Sequence, residues 1–480
     1  MLQSEAFVRR IGSGIIIMFF MSFLFYPTVI FAADQNKITH PANPAQSFKN
    51  WTPDQVHPGI IVVKFKQAVN LNKETLTTDN PSLNDIISTL SLEKIRQPYV
   101  YLEKSDMEGS EELFRIYHFK LSEEQDIKGI ISQLSQDPMV EYAEPLYIHK
   151  PDVIPNDPQW GENGDLVHID APSAWDIVIG DTGDVVVAVV DNGTIWNHED
   201  LVDNLWQNPG EDFDGDGHTI EYISGSWQFD PGDLNGLDDD GNGKIDDVVG
   251  WNFIGGSNDP TGTADHGTPV AGTIAAVNDN GIGGASVSWN CTFMPVASLG
   301  STDTYEGIVY AVSKGADVIN CSWGRGGSFS AYEQNIIYLA YNNGSLVVAS
   351  AGNDGVNNDA EPHYPSSYRT VLSSGATNKA DDMKASFSNY GQYSVHVYAP
   401  GVSIYVPYPG GYAWIDGTSF SSPMVAGLAG LVKTKFPSMT NDDIRNRILL
   451  TSNNIDYANP QFAGKLGAGR INAFQAVDPD

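Results

Sequence analysis

The sequence predicts an α/β protein with a mostly parallel sheet and helices on both faces, preceded by a small α+β domain. The first observation is a series of short, apolar, β-branched runs, which are typical of strands buried on both faces. The second is that helical segments separate these runs, as the crossovers of a parallel sheet require. The third is a stretch near the N-terminus in which shorter strands and helices alternate. The clearest apolar runs are Val186–Val190, Phe293–Ala297, Val318–Cys321 and Leu346–Ala349.

The chain begins with a segment typical of a secretory signal peptide. Arg9 and Arg10 precede a mostly apolar run, Ile15–Phe31, which ends at the small residues Ala32 and Ala33. The run approaches the roughly 20 residues that span a bilayer, so an uncleaved membrane anchor is the alternative. A serine and a proline inside the run weigh against an anchor. We therefore expect residues 1–33 to be removed, and the mature protein to be secreted, extracellular and without stable membrane association.

Residues 57–150 form the predicted small domain, an α+β sandwich of the ferredoxin-like type. The proline-rich stretch 151–159 is extended and is the predicted linker and processing region. Residues 160–478 are the predicted main domain, which is large enough to bury a sizeable core. The elements expected in the small domain are strands Gly59–Phe65, Phe114–Leu121 and Val140–Pro145, the last at an edge, and helices Leu83–Leu92 and Glu124–Leu134.

Ser419 stands in the segment most informative about function. Gly417 and Thr418 permit a tight turn ahead of it, and the small residues behind it predict a helix whose first turn accommodates Pro423. A serine at a helix N-terminus presents its free backbone amide, and the positive end of the helix dipole, to an oxyanion formed by attack on a carbonyl. A serine that only caps the helix is the alternative.

Two further segments supply what a serine nucleophile needs. Asp191 follows the buried run Val186–Val190, at the sheet edge where ligands and chemistry collect in open α/β proteins. His266 precedes a second helix of small residues. A serine hydroxyl is scarcely ionised at neutral pH, so it requires a base, and that base requires a partner to fix its tautomer. Asp191, His266 and Ser419 are therefore the candidate catalytic triad.

The order of these three residues along the chain distinguishes between unrelated folds that use the same kind of catalytic triad. Aspartate, histidine, serine is the subtilisin order and differs from the orders of chymotrypsin and of α/β-hydrolases. From about Trp160 to Ala476 the chain resembles the subtilisin-like serine proteases, or subtilases, and the expected main fold is therefore subtilisin-like. The resemblance implies a serine endopeptidase acting on peptide or protein substrates. It also implies that the small domain is a propeptide, a folding aid and intramolecular inhibitor, where an unrelated binding domain is the alternative.

The resemblance also implies an oxyanion-binding amide and substrate-binding segments. Asn353 stands where the family places the side-chain amide that holds the oxyanion, although Asn-Asp-Gly is also ordinary turn chemistry. An extended substrate strand would pair with the backbone of the segment that ends at Ser322, Trp323 and Gly324. Ala351 and Gly352 would form one wall of the pocket for the residue before the scissile bond, and His363 would close the bottom of that pocket. The expected substrate-binding residues are Ser322, Trp323, Gly324, Ala351, Gly352 and His363. Arg325 departs from the glycines that often follow the first segment, and a side chain at His363 suggests a restricted pocket.

Acidic residues dominate the composition, with 60 Asp plus Glu against 26 Lys plus Arg and a formal net charge of −34. This balance argues against a nucleic-acid partner. Two loops space their oxygen side chains as calcium loops do, although Val249 replaces the glutamate that would complete an EF-hand. Solvated turns are the alternative. We predict structural Ca²⁺ bound by Asp238, Asp240, Asn242, Lys244 and Asp246 in one loop, and by Asp212, Asp214 and Asp216 in the other. We expect no catalytic cofactor.

The only cysteines are Cys291 and Cys321, each beside an apolar strand. We favour free thiols buried in neighbouring strands; the alternative is a disulfide, which an exported location permits but for which strand neighbours often have unsuitable geometry. The expected molecule is a monomeric, calcium-stabilised zymogen of a secreted serine endopeptidase. The alternatives are a non-enzymatic binding or scaffold protein on the same fold, and an esterase that uses the same triad.

Overall fold

A computed structural model describes residues 56–72, 75–100, 110–121, 126–147, 153–180 and 185–478. The predicted signal peptide and the start of the predicted linker lie outside these residues. The chain divides into two compact units, residues 1–149 and 150–480.

The first unit contains a four-stranded antiparallel sheet in the order β4-β5-β1-β6. With helices after β1 and β5, this is the βαββαβ arrangement of a ferredoxin-like fold, and β6 lies at the predicted edge. Its core includes the fully buried Phe65, Leu83 and Phe119. The elements are β1 Val56–Phe65, β2 Leu71–Asn72, β3 Thr77–Thr78, α1 Pro81–Thr89, β4 Leu92–Arg96, α2 Ser110–Phe114, β5 Ile116–Leu121, α3 Ile127–Leu134 and β6 Val140–Tyr147.

Several element boundaries in this unit differ from the prediction. Helix α1 begins two residues early because Asn80 caps it, its side chain accepting the Leu83 N–H at 3.1 Å. Leu92, predicted to end that helix, instead begins strand β4. Phe114, predicted to begin a strand, ends the short helix α2.

The second unit is built on a seven-stranded sheet in the order β10-β11-β7-β12-β14-β16-β17, and every neighbouring pair is parallel. The predicted α/β class and all four predicted strand runs are confirmed. The sheet strands are β7 Val186–Asp191, β10 Trp251–Asn252, β11 Thr292–Ala297, β12 Val318–Cys321, β14 Leu346–Ser350, β16 Leu372–Thr377 and β17 Val397–Pro400.

Helices and short ribbons complete the second unit. The helices are α4 Gly164–His168, α5 Ala171–Trp175, α6 Gly267–Ala275, α7 Glu306–Ser313, α8 Ala331–Asn342, α9 Thr418–Lys435, α10 Asn441–Thr451 and α11 Ala473–Val477. The antiparallel pairs are β8 Ile220–Ile223 with β9 Ser226–Phe229, β13 Arg325–Gly326 with β15 His363–Tyr364, and β18 Ile404–Tyr408 with β19 Gly411–Ile415. Single 3₁₀ turns lie at Trp160–Glu162, Val202–Asn204 and Pro460–Phe462.

The parallel sheet separates two hydrophobic layers. One layer contains α6 and α9 and includes Val187, Ile274 and Cys291, and the other contains α7 and α8 and includes Val190 and Cys321. Both thiols are free and buried, as predicted. The expectation that they lie in neighbouring strands is wrong, because β7 separates β11 from β12 and the two thiols pack in different layers.

Candidate active site

Asp191 and His266 form a hydrogen-bonded pair at the C-terminal edge of the sheet. Asp191 ends β7, is fully buried and accepts the His266 Nδ1–H at 2.8 Å and the Asn192 N–H at 2.7 Å. Donation from Nδ1 leaves Nε2 of His266 as a proton acceptor. Burial alone lowers the pKa of His266, but the hydrogen bond and charge of Asp191, together with the charge of Asp265, raise it above the ordinary value. The pair has the arrangement of a base and its orienting carboxylate.

The loop that carries His266 is held by Asn192. The Asn192 side chain donates to Asp265 at 2.6 Å and accepts the Gly267 N–H at 2.9 Å. Gly267 lets helix α6 approach this loop, since a Cβ there would stand 2.1 Å from the Gly193 oxygen. Sequence reasoning missed Asn192, although its position directly after Asp191 was a usable signal.

Ser419 is the second residue of α9, and His266 lies nearby, its ring centroid 6.0 Å from that of Phe420. The Ser419 hydroxyl donates to the Ser322 carbonyl at 3.1 Å, and no hydrogen bond joins Ser419 to His266 in the described chain. Pro423 lies inside α9 rather than in its first turn. Since proline has no N–H, the Ser419 carbonyl accepts the Ser322 hydroxyl instead, at 2.8 Å.

Asn353 and the start of α9 are joined by two hydrogen bonds. The Asn353 Oδ1 accepts the Thr418 N–H at 2.9 Å and the Thr418 hydroxyl at 2.8 Å, which leaves Nδ2 as the outward donor. A Cβ on Gly417 would stand 3.5 Å from the Ser419 nitrogen and 3.7 Å from the Asn353 Nδ2. Two N–H donors therefore border the same small volume beside the serine, as an oxyanion requires.

The expected substrate segments meet around His363. A Cβ on Gly324 would stand 2.2 Å from the His363 ring, and one on Gly352 would stand 3.0 Å from it. The ring is buried, which lowers its pKa, and it borders a cavity of about 320 Å³. Arg325, the departure from the family pattern, is bound to Glu333 at 2.8 Å and extends the segment into β13, which pairs with the strand that carries His363.

The other expected substrate residues lie on the same edge of the sheet. Trp323 anchors its segment by donating its indole N–H to the Val190 carbonyl at 2.7 Å. Ala351 is buried, and its carbonyl accepts amide hydrogens from Asn358 at 2.8 Å and Asn389 at 3.0 Å. These bonds fix the loop between β14 and Asn353.

Comparison with known proteins gives the chain its family. The model of the subtilase family matches residues 182–469. A thermophilic serine proteinase of Bacillus sp. strain AK1 is 30% identical over 95% of this chain and 96% of its own. Thermitase of Thermoactinomyces vulgaris is 34% identical over 67% of this chain and 99% of its own. The chain is a subtilase.

A solved structure of a protease from Pseudoalteromonas arctica PAMC 21717 also matches this subtilase, with 30% identity and a TM-score of 0.51. The match covers 68% of this chain and 99% of that chain. The subtilase is accordingly a serine-type endopeptidase, as predicted. Among its described residues, no helix combines the length and the apolarity that a bilayer crossing needs.

In one of the two loops predicted to bind calcium, carboxylate oxygens lie close enough to one another to hold a cation. Carboxylate oxygens of Asp212, Asp214 and Asp233 lie within 4.8 Å of one another, as do those of Asp214, Asp216 and Asp230. Asp230 and Asp233 were missed because they follow the loop by more than a dozen residues, beyond the span of the motif.

The other predicted loop is arranged differently. Asp238 accepts the N–H groups of Asn242 and Gly243, and Asp246 accepts that of Gly236. Asp240 instead belongs to a group with Glu211 and Asp247. Asp238, Asp240 and Asp246 do not form a common group among the described residues, and Lys244 places its ammonium over Trp251 and Phe253.

A further buried carboxylate, Asp200, was also missed by sequence reasoning. Its Oδ1 accepts the Asn280 side-chain amide at 3.0 Å, while its Oδ2 has no hydrogen-bond partner among the described residues. Burial raises the pKa of this carboxyl to about 8, and the neighbouring charge of Asp157 acts in the same direction. A single aspartate nine residues after Asp191 carries no spacing motif.

Proposed function

We propose that this endopeptidase acts through Ser419, His266 and Asp191, with Asn353 assisting the oxyanion. The Ser419 Oγ attacks the substrate carbonyl carbon while the His266 Nε2 takes its proton. Asp191 holds the imidazole and stabilises its cation. The Ser419 N–H and the Asn353 Nδ2 donate to the oxygen that becomes negative. The protonated His266 then delivers its proton to the leaving amine, and water hydrolyses the acyl ester by the same route in reverse.

The observation that carries the proposal is the 2.8 Å bond between His266 Nδ1 and Asp191 Oδ1, beside a helix N-terminus that bears Ser419. This bond fixes the tautomer in which Nε2 is the base. In the free enzyme the Ser419 hydroxyl is bonded to the Ser322 carbonyl. An extended substrate strand that takes this carbonyl as its acceptor would release the hydroxyl to turn toward His266.

We further propose a secreted, calcium-stabilised zymogen. The compact N-terminal unit, with its ferredoxin-like topology, supports the role of a propeptide that is separated from the catalytic unit by cleavage in residues 151–159. The thermophilic proteinase of Bacillus matches this chain over 95% of its length, which includes that unit. Relatives such as the extracellular basic protease of Dichelobacter nodosus support export.

Labelling with a fluorophosphonate tests the catalytic assignment. The purified mature protein should take up one label at Ser419, the Ser419→Ala variant should take up none, and casein products identified by mass spectrometry should depend on the serine. Absence of a label in the mature protein would favour the scaffold alternative, and ester turnover without peptide cleavage would favour the esterase.

Processing of the purified full chain tests the zymogen. The parent chain should convert to a shorter species whose new N-terminus lies between residues 152 and 160, whereas Ser419→Ala should stay at full length. Addition of a small amount of mature enzyme to Ser419→Ala separates self-processing from cleavage by a second molecule. Full activity of the unprocessed parent chain would contradict the inhibitory role.

A further inference from the structure

The segment between Asn208 and Val248 is a closed, strongly acidic excursion from the edge of the sheet. The Asn208 N–H donates to the Val248 carbonyl at 2.8 Å, so the segment begins and ends at the same place. Residues 208–247 contain twelve Asp or Glu and one lysine, Lys244. Like charges at this density repel one another, and the fold must compensate for that repulsion.

Five carboxylates of this segment converge in two overlapping groups. Asp212, Asp214 and Asp216 precede the hairpin β8–β9, and Asp230 and Asp233 follow it. Each group of three has one oxygen per residue within 4.8 Å of the others, and Asp214 belongs to both groups. Calcium–oxygen distances of 2.3–2.6 Å place two ligand atoms of one ion at most about 5 Å apart, so each group fits one ion.

Two of these carboxylates are buried without a partner on one oxygen. Asp233 is fully buried and Asp230 is 3% exposed. The Asp233 Oδ1 accepts the Phe213 N–H at 2.8 Å and the Asp230 Oδ1 accepts the Gly232 N–H at 2.7 Å, yet neither Oδ2 has a hydrogen-bond partner among the described residues. A buried, unpaired carboxylate oxygen is costly unless a cation or a donor reaches it.

These five carboxylates have no cationic partner among the described residues. In the described chain none of them forms an ion pair with lysine, arginine or histidine. The neighbouring group of Glu211, Asp240 and Asp247 differs, because the Lys314 ammonium contacts Asp240 and lies 3.3 Å from Asp247. Both regions bring several carboxylates close together, but in the described chain only the group of Glu211, Asp240 and Asp247 has a lysine ammonium beside it.

We propose that Asp212, Asp214, Asp216, Asp230 and Asp233 bind two calcium ions that share Asp214. An oxygen-only set contributed by flexible loops suits calcium better than magnesium, which demands near-ideal octahedral geometry. The ions join the chain before β8 to the chain after β9 and so clamp the base of the hairpin. This extends the calcium stabilisation proposed above, and binding measurements on an inactive protein separate its failure from failure of the catalytic proposal.

Calcium binding to the full-length Ser419→Ala protein, stripped of metal with a chelator, tests the site by isothermal titration calorimetry and by ion counting after dialysis. Asp214→Asn should lower the number of bound calcium ions by two. Asp230→Asn and Asp233→Asn should each lower it by one. Glu221→Gln, which removes an exposed charge from β8, is the matched control and should leave the number unchanged.

Thermal unfolding of Asp233→Asn gives a second readout, which remains decisive if Asp214→Asn does not fold. Without calcium the variant should be at least as stable as its parent, because it removes a repelling buried charge. With millimolar calcium it should melt several degrees below its parent, because it has lost a ligand. An unchanged ion count in every variant, or an equal loss of Tm with and without calcium, would overturn the proposal.

Discussion

Asn353 is held at its Oδ1 by Thr418 and faces the serine with its Nδ2. Asn353→Ala should therefore lower kcat by about 10²–10³ with little change in KM, a range established on subtilisin, a relative, and taken over unchanged. Asn357→Ala in the same loop loses only the bond that its side chain accepts from the Asp359 N–H and should retain near-full activity. Steady-state kinetics on a peptide anilide measure both variants. A loss of less than fivefold in Asn353→Ala would contradict an oxyanion role.

The raised pKa of His266 sets the acid limit of activity. Only the neutral imidazole accepts the serine proton, so kcat/KM should fall as pH drops through a value above the ordinary 6.5. The same shift stabilises the folded protein when His266 is protonated, fully below the unfolded pKa, and that stabilisation is lost as pH rises through the folded pKa.

Asp191→Asn should move this acid limb to lower pH and reduce kcat by about 10⁴. The reason is that the hydrogen bond and charge of Asp191 are what outweigh burial at His266. A pH–rate profile from pH 5 to 10 measures both effects, with the exposed Asp203→Asn as the control. An unshifted acid limb in Asp191→Asn would show that another group sets it.

At the scale of elements, the pairing of β13 with β15 positions the His363 ring against Gly324 and Gly352. His363→Gly should open the pocket and raise kcat/KM for phenylalanine relative to alanine before the scissile bond at least 10-fold, since each methylene is worth about 10- to 200-fold in an apolar pocket. Gly161→Ala has open space around its Cβ, does not line this cavity and is the control. A peptide library in which the parent enzyme already prefers large aromatics would reject the restricted pocket.

The contact between helices α6 and α9 depends on Gly427. A Cβ there would stand 2.4 Å from Val287 and 3.3 Å from the Ile274 carbonyl. Overpacking costs about 1–3 kcal/mol, while alanine favours a helix over glycine by about 1 kcal/mol, so Gly427→Ala should lower the free energy of unfolding by up to about 2 kcal/mol. Urea denaturation measures the change in the free energy of unfolding when Gly427→Ala is made in the inactive Ser419→Ala protein. Gly161→Ala, with nothing near its Cβ, should change little, and a stabilised Gly427→Ala would refute the packing argument.

For the molecule as a whole, the two thiols report on different layers of the catalytic unit. Burial raises the pKa of Cys291 to about 12 and that of Cys321 further, and each packs on its own face of the sheet. Native protein should therefore react with no equivalents of a thiol reagent, and urea-unfolded protein with two. Cys291→Ala and Cys321→Ala assign each equivalent. Rapid labelling of one thiol in native protein would mean that its layer opens locally.

Much of this architecture could be predicted from sequence because its signals are local. The run Val186–Val190 is buried on both faces, so its apolar pattern fixed both the strand and the position of Asp191. The pairing of Asn353 with Thr418 required the fold, since 65 residues separate them. Helix α9 shows the same limit: Pro423 was expected in the first turn, and only the structure reveals the Ser322 hydroxyl that satisfies the freed carbonyl.

The proposed cation sites include residues that local reasoning could not find. Spacing along the chain identified Asp212, Asp214 and Asp216, because the ligands within a calcium loop recur at fixed intervals. Asp230 and Asp233 join them only through the intervening hairpin, and Asp200 has no motif around it. Buried carboxylates without donors are a property of three dimensions, and no pattern along the sequence reports them.

The hydrogen bond from the Asn208 N–H to the Val248 carbonyl has a practical consequence. The acidic excursion leaves and rejoins the scaffold at one point, and its contacts with the rest of the unit include Lys314 on Asp240 and the stacking of Trp196 on Phe229. A chain rejoined across that point by a short turn should still assemble its sheet and its nucleophile. The same segment, transplanted into a protease without one, should make the stability of that protease depend on calcium.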